Sequence, residues 1–189
     1  MMEIVYGISL IYTGATPLGG YVKSYTDIAN GKFLGISWLI WIAILVAVIT
    51  WFIFNMTRHG KYMYAIGGNP QAAEVAGVPV KLTLILIYMK AAAMYGLAGF
   101  MLGAKAGGAS VNLGYGYEME AIAACTIGGV SVTGGRGKVS SAIIGVAVFE
   151  LLKAALQYLG VDANAQYIAI GIVIFVAISL DIRKYVAKK

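Results

Sequence analysis

Long uninterrupted apolar runs dominate the pattern of hydrophobic and polar positions along this chain. A helix that crosses a membrane needs about 20 consecutive, predominantly apolar residues. Four runs approach that length, and they cover residues 37–56, 82–103, 140–159 and 166–180. Ala163 and Ala165 extend the last run at its start, and we expect Asp181 to end it. The pattern therefore predicts four membrane-spanning helices.

Two shorter apolar segments complete the predicted topology. Residues 119–135 are rich in Gly, Ser and Thr, which is typical of a broken or re-entrant helix buried in protein. The first 13 residues resemble the end of a transmembrane helix, and we treat them as a stub. The expected fold class is therefore an all-α polytopic membrane protein. It has about five transmembrane helices plus the N-terminal stub, and one span is broken or re-entrant.

Composition supports a membrane protein and excludes several other classes. Of 189 residues, 60% are hydrophobic and 12% are charged, about half the charge of a soluble domain. The net charge is +6, but the basic residues punctuate apolar runs and do not cluster as in nucleic-acid-binding proteins. Cys125 is the only cysteine and His59 the only histidine. An intrachain disulfide and a metal site built from Cys or His clusters are therefore excluded.

The distribution of Lys and Arg predicts that residues 119–135 cross the membrane. If they do, loops 55–81, 136–139 and 181–189 share one side and carry nine basic residues: Arg58, Lys61, Lys81, Arg136, Lys138, Arg183, Lys184, Lys188 and Lys189. The loops on the other side carry three, which are Lys23, Lys32 and Lys105. Because cytoplasmic loops are enriched in Lys and Arg, we expect the first set and the C-terminus to be cytoplasmic.

The loop at 57–81 carries the most informative local pattern. Asn69 can cap a helix, and Pro70 suits the first helical position, where its missing N–H is not needed. Gly77 can adopt the left-handed conformation that ends a helix, and Pro79 prevents its continuation. The pattern predicts a two-turn helix over 70–76, with a smooth face formed by Ala72, Ala73 and Ala76. So short a helix is marginal alone in water, so either it docks on a partner or it is an ordinary capped surface helix.

The same loop resembles the cytoplasmic coupling loop of sugar-importing ABC permeases of the ribose and galactose type. The matching residues are Gly67-Gly68-Asn69-Pro70, then Ala72-Ala73-Glu74 and Gly77. A second signature of that family is matched by Tyr117–Cys125, Ile127–Ser131 and Gly134-Gly135. The resemblance covers nearly the whole chain and is closest to the galactose/methyl-galactoside type. The resemblance implies that residues 1–189 form one transmembrane permease domain, which corresponds to the C-terminal half of a longer permease.

The resemblance implies a transport subunit of the bacterial-type inner membrane, and not an enzyme. ATP and Mg would be bound by a separate ABC ATPase subunit that docks on the coupling loop, so this chain itself would hold no cofactor and no metal. Further implied partners are an extracytoplasmic sugar-binding protein, a second permease copy or a separate N-terminal permease half, and membrane lipid. Nucleic acid is not among them. The residues implied at the ATPase contact are Gly67, Gly68, Asn69, Pro70, Ala72, Ala73, Glu74 and Gly77.

Ionisable residues within the apolar runs are a second group of candidates. Glu150, Lys153 and Gln157 fall on one helix face, and Lys90 lies inside another run. Such groups are costly at membrane depth and usually face a partner or a cavity. They are candidates for the translocation path. Alternatively, Glu150 and Lys153 form a neutral pair that serves packing only.

A third group lies just before the broken segment, on the predicted outer side. Asn112, Tyr117 and Glu118 are candidate substrate contacts, because aromatic rings stack on sugars and carboxylates accept hydrogen bonds from hydroxyls. Tyrosine is also the usual anchor at membrane interfaces. Glu118 and Glu120 can instead favour the N-terminus of the broken helix, where negative charge is stabilised.

Two functions from different classes remain open at this point. The first is a permease subunit that couples ATP hydrolysis on a partner to monosaccharide import. The second is a secondary transporter or channel that works without ATP, in which the intramembrane ionisable residues carry ions or protons. The second function leaves the capped loop helix without a role.

Overall fold

The computed structural model describes residues 2–186; Met1 and the predicted cytoplasmic residues Lys188 and Lys189 lie outside them. The described chain is mainly helical. In chain order, its elements are α1 (Met2–Thr13), β1 (Leu18–Gly19), α2 (Lys23–Asn30), β2 (Lys32–Phe33), β3 (Ile36–Ser37), α3 (Trp38–Met56), α4 (Arg58–Gly68), α5 (Pro70–Val75), α6 (Val80–Ala106), β4 (Gly108–Ala109), α7 (Tyr117–Ile127), α8 (Val139–Tyr158) and α9 (Ala163–Val186). β1 pairs with β4 and β2 with β3, both antiparallel.

The predicted polytopic fold is confirmed by four helices that are long and apolar enough to cross a membrane: α3, α6, α8 and the part of α9 from Ala165 to Arg183. Their bounds lie close to those predicted from the apolar runs. α3 has no fully buried residue, and many of its apolar side chains are exposed. This arrangement suits helices that face lipid or other membrane subunits.

The prediction that Asp181 ends the last helix is wrong. α9 continues to Val186 and carries Asp181 well inside its length. The Asp181 carboxylate accepts hydrogen bonds from Ser131 Oγ at 2.9 Å and from the backbone N–H of Val132 at 3.0 Å. Asp181 therefore lies inside the helix, and its side chain bonds to the connection between α7 and α8.

α7 is the short helix that was predicted as a broken span. With 11 residues it is about 16 Å long, roughly half the thickness of the hydrocarbon core. Its ends contact α8 at two levels. Glu120 lies against Lys153, and Gly128, just beyond its C-terminus, lies against Ser141. α7 therefore runs antiparallel to α8. That it completes a crossing stays a prediction.

The chain forms two compact units, which we describe separately. The first unit consists of residues 2–46 together with 88–115. Within it the hydroxyl of Tyr25 donates a 2.6 Å hydrogen bond to the carbonyl of Phe100, and the two rings meet edge to face at 4.8 Å. A Cβ at Gly103 would lie 2.8 Å from the Tyr25 hydroxyl oxygen. The small residue at 103 thus makes room for this contact.

The second unit consists of residues 47–87 together with 116–186, and it contains the 57–81 loop. Its core is made of Ala123 and Ala124 of α7, Phe149 of α8 and Ile170 of α9. α7 and α8 cross at Gly145, where an added Cβ would meet the carbonyl oxygen of Ala124 and lie 2.6 Å from the amide nitrogen of Gly128. Only glycine allows the two backbones to approach so closely.

Candidate functional site

The loop helix α5 forms as its cap residues predict. The Asn69 side chain accepts a 3.0 Å hydrogen bond from the backbone N–H of Ala72, and Pro70 occupies the first turn. At the other end Gly77 has φ +81°, and the N–H of Val78 donates to the carbonyl of Ala73 at 3.0 Å. This is the hydrogen-bond pattern of a glycine-terminated helix. The predicted helix over 70–76 is thereby confirmed to within one residue.

The three alanines of α5 do not form the single smooth face that the sequence predicts. Ala73 is 4% exposed, so it is buried and cannot be part of one smooth surface with Ala72 and Ala76. The exposed side carries Val75, which is 90% exposed, and Glu74. Val75 is thus an apolar side chain that the described residues of the chain leave uncovered.

α5 is mounted on α4, a helix that the sequence reasoning did not predict. Thr57 caps α4, because its side chain accepts a 3.2 Å hydrogen bond from the N–H of Gly60. Ile66 of α4 is buried, and α4 and α5 pack against each other. The sequence signal was present in Thr57, since threonine before a helical run is a good N-cap.

The connection between α7 and α8, residues 128–138, packs against α4; we call it the glycine loop. A Cβ at Gly67 of α4 would lie 2.5 Å from the amide nitrogen of Gly135, and one at Gly134 would lie 2.8 Å from the carbonyl oxygen of Gly67. The hydroxyl of Tyr64 donates a 2.8 Å hydrogen bond to the carbonyl of Gly137. Gly67 therefore serves close packing between two backbones inside the chain.

The predicted pair of Lys153 and Glu150 is present, but Glu120 is the closer partner of Lys153. Lys153 Nζ lies 2.8 Å from Glu120 Oε2 of α7, and 3.8 Å from Glu150 Oε1. The Lys153 and Glu120 side chains are 28% and 21% exposed, whereas Glu150 is 62% exposed. The ion pair therefore joins α7 to α8, and Gln157 lies exposed further along α8.

The other candidates are distributed between the two units. In the first unit, Asn112 Oδ1 accepts a 3.2 Å hydrogen bond from the hydroxyl of Tyr6, and Lys90 is half-buried on α6. In the second unit, Tyr117 and Glu118 begin α7 and are exposed. Glu118 and Glu120 occupy the first turn of α7, where negative charge is stabilised.

Two cavities flank the glycine loop within the second unit. One, of about 570 Å³, lies between α7, the loop and α9, and its polar lining includes Ser131, Arg136 and Asp181. The other, of about 330 Å³, is more apolar and includes Phe54, Tyr64 and Cys125. Among residues 2–186 no group of three or more His, Cys, Asp or Glu side chains could hold a metal ion.

Four span-length apolar helices indicate a multi-pass membrane protein. The chain belongs to the family described as "Branched-chain amino acid transport system / permease component", which matches residues 1–178. The predicted resemblance to sugar permeases is likewise confirmed by curated relatives.

The galactose/methyl galactoside import permease protein MglC of Escherichia coli (strain K12) is 41% identical over 195 aligned residues, covering 100% of this chain and 58% of the relative. The same-named protein of Haemophilus influenzae is 40% identical, with the same coverage of both. The ribose import permease protein RbsC of Bacillus subtilis (strain 168) is 37% identical over 97% of this chain and 58% of its own length. The chain thus spans somewhat more than half the length of these relatives. No solved structure is significantly similar to it.

Proposed function

We propose that this chain is part of the permease subunit of an ATP-driven monosaccharide importer. The names of its relatives specify import of galactose, methyl galactoside and ribose. Their sequence similarity extends over essentially the whole chain, which supports a small sugar as the substrate class. A sugar-binding protein outside the membrane would deliver the substrate, and a second permease copy would complete the pore.

The observation that carries the proposal is the construction of α5. The helix is capped at both ends, its buried side packs on α4, and its exposed side presents Val75. A short helix held rigidly in this way loses little conformational entropy when a partner binds. We assign this surface to the ATPase subunit, which would bind ATP and Mg, with 57–81 as the coupling loop.

Within the coupling loop the predicted contact residues would have different roles. Asn69, Pro70 and Gly77 shape the helix, Gly67 packs against the glycine loop, and Ala73 fixes α5 from its buried side. The exposed positions Gly68, Ala72 and Glu74 are left to contact the ATPase beside Val75.

ATP-independent transport finds less support in the second unit. Lys153 is engaged by Glu120 and lies close to Glu150, so its charge is compensated within the unit. That mechanism also gives α5 no function.

The proposal places the glycine loop in the cytoplasm together with the coupling loop, since the two pack against each other. In a permease whose native Cys125 is replaced by serine, we expect Lys138→Cys to resist an impermeant maleimide in intact cells. Leu159→Cys, at the opposite end of α8, should react under the same conditions. Lys138→Cys should react after permeabilisation, which separates sidedness from burial. Labelling of position 138 in intact cells would reverse the proposed topology.

A further inference from the structure

The glycine loop is internally closed and has a defined shape. The N–H of Ser131 donates a 3.1 Å hydrogen bond to the carbonyl of Arg136, and the N–H of Gly134 donates at 3.3 Å to the carbonyl of Ser131. Gly134 and Gly135 have φ +94° and +70°, in the left-handed region where glycine is favoured. The loop is therefore a folded element that can move as one piece.

One side of the glycine loop is in backbone contact with α4. Gly67 meets Gly134 and Gly135 without an intervening side chain, and Tyr64 holds Gly137 through its hydroxyl. Close-packed backbones have no flexible side chain to absorb a displacement, so a shift of one is transmitted to the other. A movement of α5 and the α4 on which it is mounted would therefore reach the loop directly.

The other side of the glycine loop faces the larger cavity. Ser131 and Arg136 line this cavity of about 570 Å³, as do residues of α9. The loop thus has space to move on the side away from α4. On this side Asp181 links α9 to the loop, because its Oδ2 accepts hydrogen bonds from Ser131 Oγ at 2.9 Å and from Val132 N at 3.0 Å. These are charge-assisted bonds, which are stronger than neutral ones.

We propose that the glycine loop transmits movement of the coupling loop to α9, and that Asp181 is the positioning residue that makes α9 follow. This inference rests on the proposed ATP-driven function. When the ATPase displaces α5, the loop moves with α4 and pulls α9 through Asp181. Without Asp181, the loop would move into the cavity and leave α9 behind. ATP hydrolysis would then continue while less sugar is moved per ATP.

The test compares sugar transported per ATP hydrolysed in the complete transporter, reconstituted with its ATPase and binding protein. Coupling free energies between sites typically correspond to 5–150-fold effects, so we expect Asp181→Ala to lower this ratio about 5-fold or more. Asp181→Asn should restore most of it, because an amide oxygen in the place of Oδ2 can still accept from both Val132 N–H and Ser131 Oγ. The basal ATPase rate should stay near that of the parent in both variants.

A matched glycine pair tests the other side of the loop and does not depend on Asp181. A Cβ at Gly135 would lie 2.7 Å from the amide nitrogen of Gly68, whereas one at Gly129 meets nothing within 4 Å. Both glycines have positive φ, +70° and +83°, so alanine is strained at either position. Gly135→Ala should lower the transport ratio, and Gly129→Ala should retain it.

The outcomes separate the two proposals. A parent transporter without ATP-dependent uptake would overturn the proposed function, and the transmission role with it. A parent that couples normally, with a folded Asp181→Ala variant of unchanged ratio, would overturn the transmission role alone. Equal losses for Gly135→Ala and Gly129→Ala would also contradict it, because strain and not contact with α4 would then explain the effect.

Discussion

Replacing Val75 by aspartate is expected to abolish ATP-driven sugar uptake while the permease remains folded. Val75 is 90% exposed on α5, so the substitution breaks no contact within the chain. At a docked interface it would bury a carboxylate in place of an apolar side chain. Loss of a central interface contact typically costs about 2 kcal/mol or more of binding free energy. Co-purification of the ATPase subunit with the permease and uptake of labelled sugar measure the effect.

A matched control for this variant is Leu34→Asp. Leu34 is 79% exposed in the turn between β2 and β3, far from the coupling loop in sequence. Its φ of +54° suits aspartate. We expect Leu34→Asp to retain the ATPase subunit. If Val75→Asp retains it equally well, α5 is not the docking surface.

Ala73→Arg should behave differently from Val75→Asp. The family resemblance implies that Ala73 lies at the ATPase contact, but the residue is 4% exposed within the chain. An arginine there would overpack the site, which typically costs about 1–3 kcal/mol of stability. If Ala73→Arg loses ATPase binding and Val75→Asp does not, the loss reports damage to the loop. The exposed Val75 is therefore the position that tests docking.

Removing the Lys153 charge is expected to have the second large effect. Lys153→Met leaves Glu120 and Glu150 as two carboxylates without a cation between them. Carboxylates within apolar helical segments are costly unless they are paired. We expect a marked loss of folded, monodisperse permease and a lower Tm in detergent. Lys105→Met, at the exposed end of α6, is the matched control and should change neither.

The double variant Glu120→Gln, Lys153→Met separates a structural role from a transport role. It removes one carboxylate together with the cation, so part of the lost stability should return. Because Glu120 and Lys153 satisfy each other between α7 and α8, we expect sugar uptake to return with it. Uptake that stays absent in a folded double variant would instead show that Lys153 lines the translocation path.

Local signals in the sequence were sufficient to predict the spans and α5. Apolar runs determine the long helices, and Asn69, Pro70 and Gly77 determine the ends of α5 through bonds to near neighbours. Contacts between distant residues could not be predicted in this way. Asp181 binds Ser131 across 50 positions, and Lys153 binds Glu120 across 33. Periodicity places such residues on a helix face but does not identify the element that faces them.

The side of α5 that is buried could not be predicted for the same reason. The three alanines suggest one smooth face, but the side that is buried depends on α4, and the signal for that helix was a single N-cap threonine. The role of Gly67 also depended on a distant element, since the glycine loop that it contacts begins after α7. In both cases the sequence indicates the local structure of a residue but not which distant residue it meets.

ATP-dependent uptake of radiolabelled galactose by proteoliposomes tests the central claim most directly. The complete permease would be reconstituted with its ATPase subunit and the sugar-binding protein, with ATP on the ATPase side. The account predicts accumulation with ATP, none with a non-hydrolysable ATP analogue, and no change when ionophores collapse the ion gradients. Accumulation without ATP, driven by an ion or proton gradient, would contradict the account and establish secondary transport.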